Sequence, residues 1–317
     1  MEKVKLGNSD IMVSPITFGG NVFGWTIKEK ESFRMLDGFV DAGFNLIDTA
    51  DTYSKWVQGN NGGESETIIG NWLQKRGKRE DVVIATKLGG EMDERQKGLS
   101  AKYIKKAVES SLWRLRTDYI DLYQSHYDDP ETPFHETMAA FDELVKEGKV
   151  RIIGASNLSA ERITQSNRFA SENNLALYQT LQPLYNLYDR ERFEKEYLPL
   201  VEEKGLSVLS YYSLASGFLS GKYKDPDDLK TSKRGKDVKK YMNERGFRIL
   251  EALGTVAKQK GVPMAQVAIA WLLHKPFITS PIASATNDQQ LKDLVAAASL
   301  KLSTEQVEKL DKESAYY

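Results

Sequence analysis

The chain contains no cysteine and only three histidines, His126, His135 and His274, among 317 residues. No disulfide can form, and no metal can be held by thiolates. The histidines are far apart in sequence and lack the close pairing of metal-binding motifs, so a structural or catalytic zinc is not expected. Charge of one sign is not in excess: 44 Lys+Arg stand against 45 Asp+Glu, a net −1. Such a balance recruits neither nucleic acid nor an anionic membrane surface. No apolar run reaches the length needed to span a bilayer. The start, MEKVKLGNSD, has no apolar stretch of the secretory type, and a cytoplasmic protein is expected. The G-x-G-x-x-G dinucleotide fingerprint is also missing, since FGGNVFG and GNNGGE have the wrong spacing and context.

What is present is a regular alternation. Hydrophobic residues make up 40% and charged residues 28%, an ordinary globular composition, and a chain of this length can bury a large core without staples. Short apolar runs with strand character cover Ile16–Phe18, Leu46–Asp48, Val82–Thr86, Ile120–Gln124, Arg151–Ala155, Tyr178–Gln182, Ser207–Tyr211 and Ile278–Ala283. Helical patterns lie between most of them: Glu29–Ala42, Ser65–Lys75, Ala101–Leu115, Thr132–Glu147, Ser159–Asn173 and Glu194–Glu203. The repeat of roughly 30 residues is that of a βα unit. Gly43 and Gly148 follow helical patterns as C-terminal caps do. Nearly continuous apolar runs are those of strands buried on both faces. Eight such strands predict a closed parallel (β/α)8 barrel, and without a dividing linker the chain reads as a single domain, 1–317. Two additions are expected: a hairpin from Val4 to Val13 turning at Gly7-Asn8 and closing the barrel bottom, and a long loop after strand 7, Lys222 to Glu244, which is either solvated or a lid over the site. Helices near Arg245–Lys260 and Met264–Leu273 follow it.

In a parallel barrel the chemistry sits at the C-terminal strand ends. Strand 2 ends at Asp48, in LIDTADTY, with Tyr53 five residues on. Strand 3 runs into Lys87, in VVIATKLGG, and strand 4 into His126, in IDLYQSHYDDP. Singly, each has a bland reading: a capping Asp, a packing Tyr, a surface Lys, a core His. Together, on consecutive strands, they form a set that suits carbonyl reduction. That reaction needs a hydride on carbon and a proton on oxygen. Tyr53 can donate the proton, but its ordinary pKa is about 10. A cation beside the phenol favours phenolate, and Lys87 can supply it, with Asp48 keeping the buried ammonium compensated. His126 can hydrogen-bond the carbonyl oxygen and orient it.

These motifs, DTADTY, ATK, DLYQSH and IGASN in order from about Leu6 to Leu310, resemble the aldo-keto reductases, and within them the bacterial branch similar to the potassium-channel β-subunits. The resemblance implies the (β/α)8 barrel and the tetrad Asp48, Tyr53, Lys87 and His126, with Tyr53 as general acid/base. It also implies a nicotinamide coenzyme bound on the barrel. From the residues alone, the small and hydroxyl-bearing loops after strands 7 and 8 suit phosphates. The resemblance assigns Ser156, Asn157 and Gln182 to the carboxamide, Tyr211 to stacking on the nicotinamide, and Gly20 and Asn21 to the nearby ribose. It assigns Leu214, Ser216, Gly217 and Lys222 to the pyrophosphate, and Ser284, Ala285, Thr286 and Gln290 to the adenosine end.

One departure bears on the coenzyme. Many members carry Arg where this chain has Thr286, and a hydroxyl brings no charge to a 2′-phosphate. Lys222 or the lysines between 230 and 240 are placed to compensate. NADP(H) is therefore expected, with NAD(H) possible, and the loop reads YYSL where YSPL is usual. The substrate is expected to be a small carbonyl or alcohol compound, with Trp25, Trp56, Met92, Tyr127 and Tyr241 as rim candidates. Two other readings stay open: a redox-sensing or channel-β-like binding subunit of the same fold, and an aldolase-like enzyme using Lys87 as a Schiff base. Nothing in the sequence chooses between a monomer and a homo-oligomer.

Overall fold

In a computed structural model that describes residues 2–230 and 232–316, eight parallel strands form one sheet: β1 (Thr17–Gly19), β2 (Leu46–Asp48), β3 (Val83–Leu88), β4 (Ile120–Ser125), β5 (Val150–Ser156), β6 (Tyr178–Gln182), β7 (Ser207–Val208) and β8 (Ile282–Ala283). They run in chain order, with β8 beside β1. The ring closes through backbone hydrogen bonds. Thr279 and Ser280 donate to the Val208 carbonyl at 3.0 and 3.2 Å, and Ile282 donates to Ser210 O at 2.8 Å. This is the (β/α)8 barrel the alternation predicts.

The outer ring consists of α1 (Glu29–Asp41), α2 (Glu64–Arg76), α3 (Ala101–Leu115), α4 (Phe134–Lys146), α5 (Ala160–Glu172), α6 (Leu198–Lys204, entered through a π turn at Phe193–Tyr197), α7 (Glu244–Lys260), α8 (Met264–Leu273), α9 (Asp288–Ala297) and α10 (Thr304–Glu313). Among the described residues no helix is long and apolar enough to cross a membrane.

Strand alternation decides which side chains face the lumen. Leu46, Val83, Ala85, Leu122, Ile152, Leu209 and Ile282 fill the barrel interior. Ile47, Ile84, Tyr123, Ile153 and Val208 point outward and pack on the helices through residues such as Phe39, Ile69, Ile104, Phe141 and Ile163. The period of two then carries Asp48, Lys87 and Gln182 inward at the strand ends, and the register pairs Gly19 with Asp48, Lys87 with Gln124 and Ser156 with Gln182. A ring of polar residues therefore caps an apolar interior.

The floor is the predicted hairpin, with a difference. Val4–Lys5 pairs antiparallel with Met12–Val13, so the connection runs from Leu6 to Ile11 and is wider than a tight turn at Gly7-Asn8. Leu6, Ile11 and Val13 plug the lumen. Gly7 donates to Ser207 Oγ at 2.8 Å and Asn8 to Gln179 Oε1 at 2.9 Å. Gly7 has φ +61°, and a Cβ there would meet Gln179 Cβ at 2.6 Å, so both backbone conformation and space require glycine.

Three expectations change. The last two strands are shorter than Ser207–Tyr211 and Ile278–Ala283, because prolines interrupt them. Leu209 and Tyr211 still donate to Leu181 O and Pro183 O at 2.9 Å, but Pro183 and Pro281 carry no N–H to continue a ladder. The 222–244 segment is not structureless: it contains helical turns at Pro226–Leu229, Gly235–Val238 and Lys239–Tyr241, with Thr231 outside the described residues. Helices α9 and α10 were not expected, although their caps are plain in retrospect. Asn287 Oδ1 accepts from the Gln290 amide at 3.0 Å, and Ser303 and Gln306 form a capping box.

Candidate functional site

A cavity of about 740 Å³ opens at the C-terminal ends of the strands. Asp48, at the last position of β2, is the hub of its inner end. One carboxylate oxygen, Oδ2, accepts from Lys87 Nζ at 2.8 Å, and the other, Oδ1, accepts from Gln182 Nε2 at 2.8 Å. Lys87 donates also to Thr49 O at 2.7 Å and to Tyr53 Oη at 3.0 Å. All three ammonium protons are thus used. Lys87 and Asp48 are almost wholly shielded from solvent. Tyr53 reaches this pair because the chain from Thr49 to Tyr53 folds over β3, with Thr49 and Asp51 amides donating to Ala85 O and Lys87 O. The His126 ring lies 6.0 Å from that of Tyr53 between centroids, and its Nδ1 is 3.5 Å from Thr52 Oγ1.

Burial dominates the electrostatics. It pushes the Tyr53 phenol well above its ordinary value, and the Asp48 carboxylate adds to the rise. The expectation that Lys87 lowers this pKa is not met, since desolvation of the phenolate and the neighbouring anion outweigh the ammonium. Burial likewise lowers the Lys87 pKa, with Asp48 opposing, and holds His126 well below its ordinary value, with Lys87 adding to the fall. The imidazole is therefore neutral at physiological pH.

Behind Tyr53 lies a carboxylate the sequence reading did not single out. Asp51 is buried, and neither of its oxygens has a hydrogen-bond partner among the described residues. Burial, and then Glu66 on α2, raise its pKa well above the ordinary value, against the opposing pull of Arg114 on α3 and Lys87 on β3. Glu66 itself is held by Arg114 Nε at 2.7 Å and Thr86 Oγ1 at 2.5 Å. A carboxyl whose pKa is raised on folding keeps in the native state a proton that the unfolded chain has released, so its contribution declines as pH rises. Asp51→Asn is therefore expected to gain stability relative to the natural chain above about pH 4, with the gap widening toward neutrality. Denaturant unfolding at several pH values checks this, and a gap independent of pH would refute it.

The residues expected to meet the carboxamide form a connected set. Asn157, with φ +56°, donates from Nδ2 to His126 O at 2.9 Å and to Ser156 Oγ at 3.1 Å, and its Oδ1 accepts from the Tyr211 hydroxyl at 2.9 Å. Ser156 Oγ donates to Gln182 O at 2.9 Å. Asn21, Ser156, Asn157, Gln182, Tyr211, Leu214, Ser216, Gly217, Lys222, Ser284, Thr286 and Gln290 all line the cavity. Gly20 and Ala285 stand behind the wall: Gly20 O accepts from Ser65 Oγ at 2.8 Å, and Ala285 is fully buried. Lys87 also stands behind the wall, bonded to Asp48 and Tyr53. Of the rim candidates, Tyr127 lines the cavity, and Trp25 and Trp56 meet edge to face at 5.5 Å. Met92 sits against Gly62. Tyr241 is a correction: it is fully buried and donates to Asp189 Oδ2 at 2.7 Å, so it belongs to the core.

The outer end of the cavity is rich in cations. Ser216 and Gly217 take left-handed φ values of 58° and 95° in the turn Ala215–Ser220, which is closed by the Gly217 and Leu219 amides donating to Leu214 O at 2.8 and 3.2 Å. Lys222, Lys233 and Arg234 line the same space. Lys233 donates to Trp25 O at 3.3 Å and the Arg234 guanidinium lies 5.2 Å from the centre of the Trp25 ring. None of the three forms an ion pair with a carboxylate among the described residues. Arg234 was missed in the sequence because it sits in a charge-rich stretch, where solvated cations are the rule. At the far end, Thr286 N and Oγ1 both donate to Gln290 Oε1 at 2.9 Å. Among the described residues no cluster of His, Asp and Glu could hold a metal ion.

Comparison with known proteins places this barrel in a family. Residues 15–315 match the Aldo/keto reductase family, and this chain belongs to that family, whose members use nicotinamide cofactors. Its relatives include the uncharacterized oxidoreductase YrpG of Bacillus subtilis (strain 168), 36% identical over 315 residues that cover 96% of this chain and 93% of YrpG. A probable voltage-gated potassium channel subunit beta of Oryza sativa subsp. japonica is 34% identical, covering 98% and 96% of the two chains. Protein tas of Escherichia coli (strain K12) is 31% identical, covering 96% and 94%.

Proposed function

We propose that this chain is an NADP(H)-dependent enzyme that interconverts a carbonyl compound and its alcohol, with Tyr53 as the proton donor and acceptor. The observation that carries the reading is the bond from Lys87 Nζ to Tyr53 Oη at 3.0 Å, made by an ammonium that Asp48 holds at 2.8 Å. The coenzyme, when bound, supplies or accepts the hydride. In the reductive direction Tyr53 gives its proton to the carbonyl oxygen. Its raised pKa keeps it protonated beforehand, and Lys87 stands against the phenolate it leaves. Asp48, fixed by Gln182, positions Lys87. His126, neutral and with Nδ1 turned to Thr52, offers its Nε2 edge to the carbonyl oxygen. Lys222, Lys233 and Arg234 suit the phosphates, and their number favours NADP(H) over NAD(H) although Thr286 brings no charge. The Schiff-base alternative is disfavoured because Lys87 has no lone pair available while three acceptors take its protons.

Fluorescence titration of the purified chain with NADPH and NADH, followed by turnover of a generic aldehyde, tests the reading. NADPH is expected to bind more tightly and be consumed. Arg234→Ala is expected to weaken NADPH binding about tenfold or more, as loss of a hydrogen bond to a charged group does, and to flatten its salt dependence. Coenzyme binding without turnover of any carbonyl would favour a sensing subunit, a reading kept in view by the channel-subunit relative. Failure to bind either coenzyme would overturn the assignment.

A further inference from the structure

The loop after β7 is bent against its own preference. Tyr212, Ala215, Ser216 and Gly217 have φ of 56°, 48°, 58° and 95°, a left-handed conformation that side chains rarely adopt. Backbone of this kind persists only where its surroundings impose it. Leu214, Ser216 and Gly217 line the cavity, so whatever holds the loop also shapes the wall. Two side-chain bonds tie it down. Ser213 Oγ donates to Ile282 O on β8 at 2.8 Å, and Asn186 Nδ2 donates to Tyr212 O at 3.0 Å. Asn186 is fully buried in the turn 186–190 after β6 and does not itself line the cavity. Its amide has no spare capacity. Nδ2 donates also to Asp189 Oδ2 at 3.0 Å, and Oδ1 accepts from the Tyr188 and Asp189 amides at 2.8 and 2.9 Å. Asp189 Oδ2 takes the Tyr241 hydroxyl as well, at 2.7 Å, so the turn also meets the 222–244 segment.

The turn is fastened from behind. Arg245, in the first turn of α7, donates from Nη2 to Tyr188 O at 2.9 Å and to Ser314 O at 2.7 Å, and from Nε to Ala315 O at 2.9 Å. Its guanidinium lies 4.5 Å from the centre of the Tyr188 ring. Arg190, at the far end of the turn, donates from Nη1 to Asp311 O at 3.0 Å and to Ser314 Oγ at 2.7 Å. The last carbonyls of a helix have no partner within it and favour cations, so the end of α10 is an anchor for both arginines. A chain of bonds thus runs from Ser314 through Arg245, Tyr188 and Asn186 to Tyr212.

Resting on the reading of the cavity as a coenzyme site, we infer that the turn 186–190, fastened by Arg245 to the end of α10, positions the loop 211–217 for the coenzyme. Asn186 and Arg245 are positioning residues: neither lines the cavity, and both act through the backbone of Tyr212. Coenzyme affinity therefore depends on contacts made on the far side of the rim.

Hydrogen exchange of the coenzyme-free chain reads the positioning, and NADPH titration reads its consequence. The Ala215 and Gly217 amides donate to Tyr212 O at 2.7 Å and Leu214 O at 2.8 Å. Asn186→Ala and Arg245→Met should each speed their exchange about tenfold. Each should also weaken NADPH binding about tenfold, the effect of losing one well-placed hydrogen bond, and the loss should fall on KM for NADPH rather than on kcat. Should Asn186→Ala not fold, Arg245→Met, at a half-buried position, carries the test. Arg248→Met is the control for a loosened α10. Arg248 donates to Glu313 O at 3.1 Å and is not bonded to the turn among the described residues, so its loss should move neither quantity. The inference is overturned if loop exchange keeps its natural rate in either folded variant, or if Arg248→Met matches Arg245→Met. Faster exchange with unchanged NADPH affinity overturns it as well, because the coenzyme then does not read the shape of the loop. If the natural chain binds neither coenzyme, the coenzyme reading fails by itself. Loop exchange then decides the positioning alone: faster in both variants and natural in the control supports it, and any other pattern overturns it.

Discussion

Tyr53→Phe is expected to bind NADPH as the natural chain does and to lose turnover by about 10²–10⁴-fold, the range a positioned proton donor contributes. The substitution removes one oxygen. The phenol accepts from Lys87 at 3.0 Å and lies 3.4 Å from Asp48 Oδ2, so Lys87 keeps its bonds to Asp48 and Thr49. The ring stays under its neighbours, with the Lys87 ammonium 4.7 Å from its centre. The fold should therefore survive, and a thermal midpoint close to the natural one separates loss of chemistry from loss of structure. Turnover within tenfold of the natural rate would remove Tyr53 from the proton step. Proton delivery would then pass to His126, the other group at the cavity end.

The second large effect concerns the pair behind the phenol. Lys87→Met should cost activity on a similar scale and, unlike the first variant, about 3–5 kcal/mol of stability, because Asp48 then remains as a buried carboxylate without its cation. Gln182 still donates to Oδ1, but a neutral amide does not replace an ammonium. Adding Asp48→Asn should recover much of that stability and none of the turnover. Denaturant unfolding of the two single variants and the double variant gives the coupling directly. If Lys87→Met is as stable as the natural chain, the pair is not the constraint on this site that its 2.8 Å contact and burial imply.

Much of this was readable from residue order. β2 through β6 each announced themselves as an apolar run ending in a candidate site residue, because a strand buried on both faces must be apolar until it reaches the rim. Asp48, Lys87 and His126 were found by looking where those runs stop. β7 and β8 were read too long, since apolarity persists through Leu209 and across Pro281 while the ladder does not. The 222–244 segment was read only as a loop because short helical turns carry no periodicity. The sign of the Tyr53 shift was misjudged for a different reason. A cation's proximity can be guessed from the motif, but desolvation depends on how completely neighbours close over the phenol. Arg234 and Tyr212 are legible only once the loops are placed, the first because it leans on Trp25 and the second because its backbone angle is unusual.

The hairpin floor sets a timetable for the chain's birth. Gly7 and Asn8 find their partners at Ser207 and Gln179, so the segment that seals the lumen emerges from the ribosome long before its seat exists. Until β6 and β7 arrive, Leu6, Ile11 and Val13 have no lumen to enter. Contacts of such long sequence separation are slow to form. Barrel assembly is thus expected to end at residues made well before β6 and β7, and a nascent chain stalled short of Ser207 would carry six of the eight strands in an open barrel, with its apolar interior offered to chaperones.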